Sequence, residues 1–119
     1  MVDVTSQTKK FQKELNAGTA SLVLLSVLGR STAAMYGYQI AKLLAESSPD
    51  LPMMKQGTLY PVLRSLEENG LLVSRVEPSV SGPPRRYYTM TEAGREALFA
   101  WSEVWKQTRE FVDAILKGG

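Results

Sequence analysis

Apolar residues recur with a helical period in four stretches of this chain and with an extended period in one. Over residues 9–28 the pattern is helical, with room for a discontinuity at Asn16, Ala17 and Gly18. Its second half is apolar on nearly every side, as befits a helix at the centre of a small fold. Gly29 is placed to end that helix through a left-handed cap. Residues 1–8 are polar and expected to fray. A loop of small residues, 30–35, leads into a short helix over 36–47 with a buried stripe of Ile40, Leu43 and Leu44. Two prolines within 48–52 stop it. A third helix is expected to start within 55–57 and run to Asn69, capped by Gly70. Leu59, Val62, Leu63 and Leu66 fall at i, i+3, i+4 and i+7. Pro61 is tolerated near the start of such a helix, where its missing N–H is an orphan donor anyway, and bends the helix slightly if the start is earlier.

The period then changes. Residues 71–77 and 85–90 read as two strands joined by a tip rich in Pro, Gly and Ser, a hairpin. Thr91 followed by Glu92 is a helix start, an N-cap hydroxyl with an acid in the first turn. A long helix is expected from 92 to about 117. Ala97, Trp101, Val104, Thr108, Phe111 and Ile115 form one apolar stripe on it, and Leu98, Trp105 and Val112 a second. No internal repeat or low-complexity segment is visible.

Three helices, a two-stranded hairpin and a long final helix give a mainly α (α+β) fold, in the order of a winged helix-turn-helix. The domain reading is a flexible segment 1–8, a winged helix-turn-helix over 9–90 and a C-terminal dimerisation helix over 91–119. Composition narrows the chemistry. At 119 residues the chain is one domain, and it contains neither cysteine nor histidine. That removes disulfides, thiolate metal sites, cysteine nucleophiles and the commonest general base. With no glycine-rich phosphate loop and no convincing carboxylate pair, an enzyme has almost no support, and no metal or cofactor is expected. The net charge is only +2, so nucleic-acid binding must come from where the basic residues sit. The longest apolar run, within 22–28, is far short of the ~20 residues of a membrane span. No secretory signal is seen, and a soluble cytoplasmic protein without membrane partners is the expectation.

Specific residues then carry a resemblance. Gly57-Thr58-Leu59-Tyr60-Pro61 is followed by Leu63, by Leu66-Glu67-Glu68 and by Gly70-Leu71-Leu72. Further on come Gly82-Pro83-Pro84-Arg85-Arg86-Tyr87-Tyr88 and Thr91-Glu92-Ala93-Gly94-Arg95, while Tyr36-Gly37-Tyr38 lies upstream. This run resembles the signature of the PadR family of bacterial transcriptional regulators over about residues 20–105. A single C-terminal helix makes it similar to the short-form members. Lys55-Gln56 departs from the Ser-Pro or other N-cap pair common at that point in the family.

The resemblance implies a homodimeric repressor on a pseudo-palindromic operator in double-stranded DNA, with Lys55, Gln56, Thr58, Tyr60, Pro61 and Arg64 of the third helix facing the major groove. A two-fold dimer sets its recognition helices about one DNA turn, roughly 34 Å, apart. For Thr58, Tyr60 and Arg64 the bland alternative is a solvated face, with Tyr60 partly packed on the wing. Tyr38 is a candidate for a phenol-to-phosphate hydrogen bond; the competing reading is that Tyr36 or Tyr38 caps the core. Strand alternation sends Arg85 and Arg86 to opposite faces, one toward DNA and the other toward a local acid such as Glu77. It likewise splits Tyr87 and Tyr88 between outside and core.

On the long helix, Leu98, Trp101, Val104, Trp105, Thr108, Phe111, Val112 and Ile115 are candidate dimer residues, and the N-terminal Phe11 and Leu15 are placed to pack across them. Spacing alone favours dimer packing for the two tryptophans. The resemblance adds a second role for Trp101: a planar, often cationic aromatic molecule sandwiched at the dimer interface. Trp105 has no such precedent in the pattern and is a candidate only as its neighbour. Such cavities usually need nearby acids, for which Glu103 and Asp113 are the candidates against the bland reading of solvated carboxylates. The rival from another class is a winged domain that binds protein partners and has lost DNA contact.

Overall fold

Asp3 accepts hydrogen bonds from the Ser6 backbone N–H (3.3 Å) and hydroxyl (2.8 Å), and this cap starts α1 (Val4–Arg30). The computed structural model describes residues 2–31, 33–47 and 56–118, without the side chain of Gln56. The helix therefore begins before residue 9, where the apolar period sets in, because a polar cap and not an apolar stripe defines its first turn. Those Ser6 bonds favour the Asp3 carboxylate and lower its pKa. No break occurs at residues 16–18. Gln12 donates to Asn16 (2.7 Å) and Thr19 to the Leu15 carbonyl (3.0 Å), so the polar side chains there bond within the helix.

Gly29 does not cap α1 either. The helix runs through it, and the left-handed glycines among the described residues are Gly70, Gly82 and Gly118. What Gly29 provides is space: a Cβ there would lie 3.1 Å from Leu98 Cδ2 and 3.2 Å from Met90 Cε.

The chain continues through β1 (Met35–Tyr36), α2 (Gly37–Ser47), α3 (Gln56–Glu68), β2 (Leu72–Glu77), β3 (Arg85–Met90) and α4 (Glu92–Leu116). The strands form an antiparallel sheet in the order β1-β3-β2. Tyr36 is opposite Tyr87, Leu72 opposite Met90 and Glu77 opposite Arg85. The expected hairpin is present, and β1 widens it to three strands. Leu24, Leu25, Ile40, Leu59 and Leu63 are wholly buried, with Leu28, Leu44, Leu66, Leu72 and Tyr88 around them. Each such leucine contributes about 1.5–3 kcal/mol by leaving water. On α2 the stripe differs from expectation: Leu43 is 40% exposed and Gly37 is buried in its place. The face is rotated because the Tyr60 ring lies over Gly37, leaving no space for a Cβ.

Of α4, only the first part packs on the core, through Gly94, Ala97, Leu98 and Trp101. Every described residue from Ser102 onward is exposed. The molecule measures 54 × 35 × 24 Å with a radius of gyration of 16.5 Å, against about 13.5 Å for a compact domain of this length. No helix of the described residues is long and apolar enough to cross a membrane.

Candidate nucleic-acid interface

Burial of Leu59, Leu63 and Leu66 on one side of α3 fixes what the other side offers. Thr58, Tyr60, Pro61, Arg64 and Ser65 are exposed there. The helix starts at Gln56, so Pro61 lies inside it and leaves the Gly57 carbonyl without its helical N–H partner. Tyr60 packs on Gly37 at the start of α2 and remains 41% exposed. It thus joins α2 to α3 rather than resting on the wing alone. Lys55 and the Gln56 side chain lie outside the described residues.

The wing, β2 and β3 with their tip, stands across from this helix side. Between them is an open cavity of about 970 Å³. Tyr36, Tyr38, Tyr60, Arg64, Arg85 and Arg86 line it, together with Glu67, Glu68 and Tyr88. Tyr38 is 54% exposed at the first turn of α2. The tip is held by Ser79, whose hydroxyl donates to the carbonyls of Ser81 (2.8 Å) and Gly82 (3.1 Å). Gly82 adopts φ +100, a conformation that favours glycine.

The two wing arginines have different surroundings. Arg86 donates to the Ser74 hydroxyl at 2.9 Å, and that hydroxyl donates to Glu67. Arg85 instead lies over the Tyr36 ring, 4.5 Å from its centroid. The acid expected to pair with one of them, Glu77, is taken by Arg75 at 2.7 Å. Arg75 lies two residues from Glu77 on the same strand face, so it competes for that carboxylate with Arg85, the residue opposite Glu77 on β3. Tyr87 and Tyr88 divide as alternation requires: Tyr88 is 5% exposed in the core, and Tyr87 stands outside against Tyr36.

Burial raises the Tyr88 phenol above its ordinary pKa of 10.0; Glu67 and Tyr60 act in the same direction, while Arg86 and Arg64 oppose. The folded state therefore holds this proton more tightly than the unfolded chain. Its contribution is complete below about pH 10, the unfolded value, and is lost as pH rises through the folded pKa. Urea unfolding of the wild type and of Tyr88→Phe should differ by a constant amount near neutrality. Above about pH 10 the wild type should weaken relative to the variant. Parallel curves over the whole range would show that the phenol gains nothing from its buried position.

A second concavity, about 530 Å³, lies between α1 and the middle of α4. Leu15, Gly18, Leu22, Trp101, Val104, Trp105 and Thr108 line it, with Glu14 as its acid. Neither Glu103 nor Asp113 lines it. Glu14 was not among the residues singled out from the sequence, since only the crossing of α1 and α4 brings it to the tryptophans. Trp101 packs partly against the core, whereas Trp105 is 40% exposed. Val104, Phe111, Val112 and Ile115 are 44–67% exposed, and Thr108 is exposed as well. Leu98, by contrast, meets Gly29 and Met90 of its own chain.

Comparison with known proteins agrees with this architecture. Residues 24–100 match the transcriptional regulator PadR-like family. A PadR family transcriptional regulator from Eggerthella lenta superposes with a TM-score of 0.83 at 31% identity, covering 98% of this chain and 97% of that one. A transcriptional regulator from Clostridium thermocellum gives a TM-score of 0.76 at 27% identity, covering 85% and 96%. A transcriptional regulator from Mycobacterium tuberculosis is 57% identical over 42 residues, 35% of this chain and 38% of that protein. The winged architecture, the signature residues along α3, β2 and β3, and these likenesses lead to one conclusion: the chain belongs to the PadR-like family of transcriptional regulators.

Proposed function

We propose that this PadR-like regulator is a repressor that binds a pseudo-palindromic operator as a homodimer. The observation that carries the reading is the shared surface of α2, α3 and the wing, where Arg64 and Arg85 line one cavity with Tyr38 and Tyr60. Arginines and phenols at that spacing suit phosphate oxygens and base edges. In this reading α3 enters the major groove, Tyr38 and the wing hold the flanking phosphates, and Thr58, Tyr60, Pro61 and Arg64 present the reading face. Lys55 and Gln56, which precede Gly57 in the sequence, belong to the same proposal as DNA contacts.

The dimer is supported by what the single chain leaves uncovered. It exposes 8682 Å², against about 6,400 Å² for a compact monomer of its mass. The excess is larger than the ~800 Å² that each partner of a standard interface buries. Val104, Trp105, Thr108, Phe111, Val112 and Ile115 of α4 supply an apolar face for it, with Trp101 at its edge; Leu98 supports the base of that helix. The groove beside Trp101 and Trp105 suits a planar cationic aromatic, with two indole faces and the Glu14 carboxylate. Such a ligand would release DNA by favouring a subunit spacing mismatched to the operator.

The test is fluorescence anisotropy on duplex DNA from upstream of the protein's own gene, from about 50 to 200 mM salt. The logarithm of the affinity should fall steeply and linearly with log salt, and a planar cationic aromatic should weaken binding further. Indifference to DNA at low salt would overturn the reading in favour of a protein-binding module.

A further inference from the structure

We propose that Tyr36 is the positioning residue of the wing: its ring holds the Arg85 guanidinium ready for a DNA phosphate while leaving Arg86 out of that contact. The inference rests on the DNA-binding reading above and concerns which groups carry it. Adjacent arginines on a strand look interchangeable, yet their surroundings differ. Arg86 donates to Ser74, which bonds Glu67 on α3, so its side chain is held toward α3, although among the described residues it too makes no ion pair. Arg85 is opposite Glu77 in the β2–β3 register, and a cross-strand ion pair would ordinarily form there. Arg75 prevents it by holding Glu77 at 2.7 Å. Among the described residues Arg85 makes no ion pair, and it lies 4.5 Å from the Tyr36 ring centroid instead.

The partner matters because of what each leaves free. A carboxylate occupies the edge of a guanidinium, where its five N–H donors are. An aromatic ring occupies the face and leaves that edge open to an incoming phosphate. Stacking also restricts the side chain before DNA arrives, so less rotamer freedom is lost on binding.

The ring is itself fixed to the rest of the DNA-facing surface. Tyr36 pairs with Tyr87 across the sheet and meets its ring edge-on at 5.3 Å. Its N–H donates to the Gln39 side chain at 3.1 Å, and its ring stacks beside Tyr38 at 6.4 Å. Tyr36 thus ties the wing cation to the first turn of α2, where Tyr38 stands exposed, and sets the distance between two phosphate contacts.

The experiment compares full-length wild type with R85A, R86A, Y36L, Y36F and the double variant Y36L/R85A on the same duplex across a salt series. Leucine keeps the apolar packing of β1 and removes the π face; thermal melts confirm that each variant is folded. R85A and Y36L should each flatten the salt slope by about one and weaken binding by about 3- to 10-fold. Y36F should behave as wild type, R86A should keep the wild-type slope, and the double variant should be no weaker than R85A alone. Without DNA, the Arg85 δ protons should be shifted upfield by the ring in wild type and Y36F, but not in Y36L. A wild-type slope in Y36L, additive losses in the double variant or unshifted δ protons overturn the positioning role while DNA binding stands. A wild type that ignores DNA at low salt overturns both.

Discussion

Replacing Gly94 with alanine is expected to cost about 3 kcal/mol and to lower the melting temperature by about 10–15 °C. The residue is the third position of α4, buried where that helix crosses the α3–β2 connection. A Cβ there would overlap the Leu71 carbonyl oxygen and stand 2.6 Å from Met90 Cγ. The first obstacle is backbone, and the backbone is held. Gly70 is left-handed at φ +77. The Thr91 hydroxyl donates to the Gly70 carbonyl (2.7 Å) and accepts from the Gly94 N–H (3.0 Å), while the Thr91 N–H donates to Leu71 (3.1 Å). Moving Leu71 aside therefore breaks the cap that starts α4, and moving α4 pulls Ala97 and Leu98 from the core. Gly18→Ala is the control. Nothing lies within 4 Å of that position in the interior of α1, so alanine should stabilise by roughly 0.5–1 kcal/mol. A Gly94→Ala protein that melts with the wild type would mean that the α4 junction has slack which the Thr91 bonds do not express.

That junction also marks where the sequence is informative. Thr91 and Glu92 name the start of α4 because an N-cap hydroxyl and a first-turn acid are local chemistry. The α3 stripe of Leu59, Val62, Leu63 and Leu66 is legible for the same reason: one period over two turns determines a face. The hairpin follows from alternation and from a tip that neither helix nor strand accepts. What escaped was set by partners distant in sequence. A two-residue strand such as β1 has no period of its own; it exists because β3 has a free edge beside Tyr36 and Met35. Gly29 looks like a helix end, but its lack of a side chain serves Met90 and Leu98, some sixty and seventy residues on. Leu43 lost its place in the stripe to Gly37 because Tyr60 arrived from α3. The candidate site divides along the same line. The residue types of the candidate DNA surface were visible as motifs, and alternation separated Arg85 from Arg86, whereas the surroundings of each needed Arg75, Ser74 and Glu67 in three dimensions.

Reversing one charge on α3 should have the largest effect on the proposed DNA binding. Arg64→Glu is expected to weaken affinity for the operator by about 10- to 100-fold, the range of a lost direct contact, with the melting temperature little changed. Arg64 is exposed, lines the α3–wing cavity and, among the described residues, makes no ion pair that the substitution would break. The same cavity is lined by Tyr60 and Arg85, so a carboxylate placed there stands beside the groups proposed to meet DNA and repels the phosphates they attract. Lys10→Glu is the companion measurement. It lies exposed on α1 outside the cavity, and it lowers the net charge from +2 by the same amount. If net charge governs binding, the two variants lose affinity equally, and the loss vanishes as salt screens it. If placement governs, Arg64→Glu is far the weaker at every salt concentration, because a groove contact is lost along with the general attraction. With a net charge this small, general attraction is a weak basis for holding an operator, so binding has to reside in the few arginines that the fold gathers beside α3.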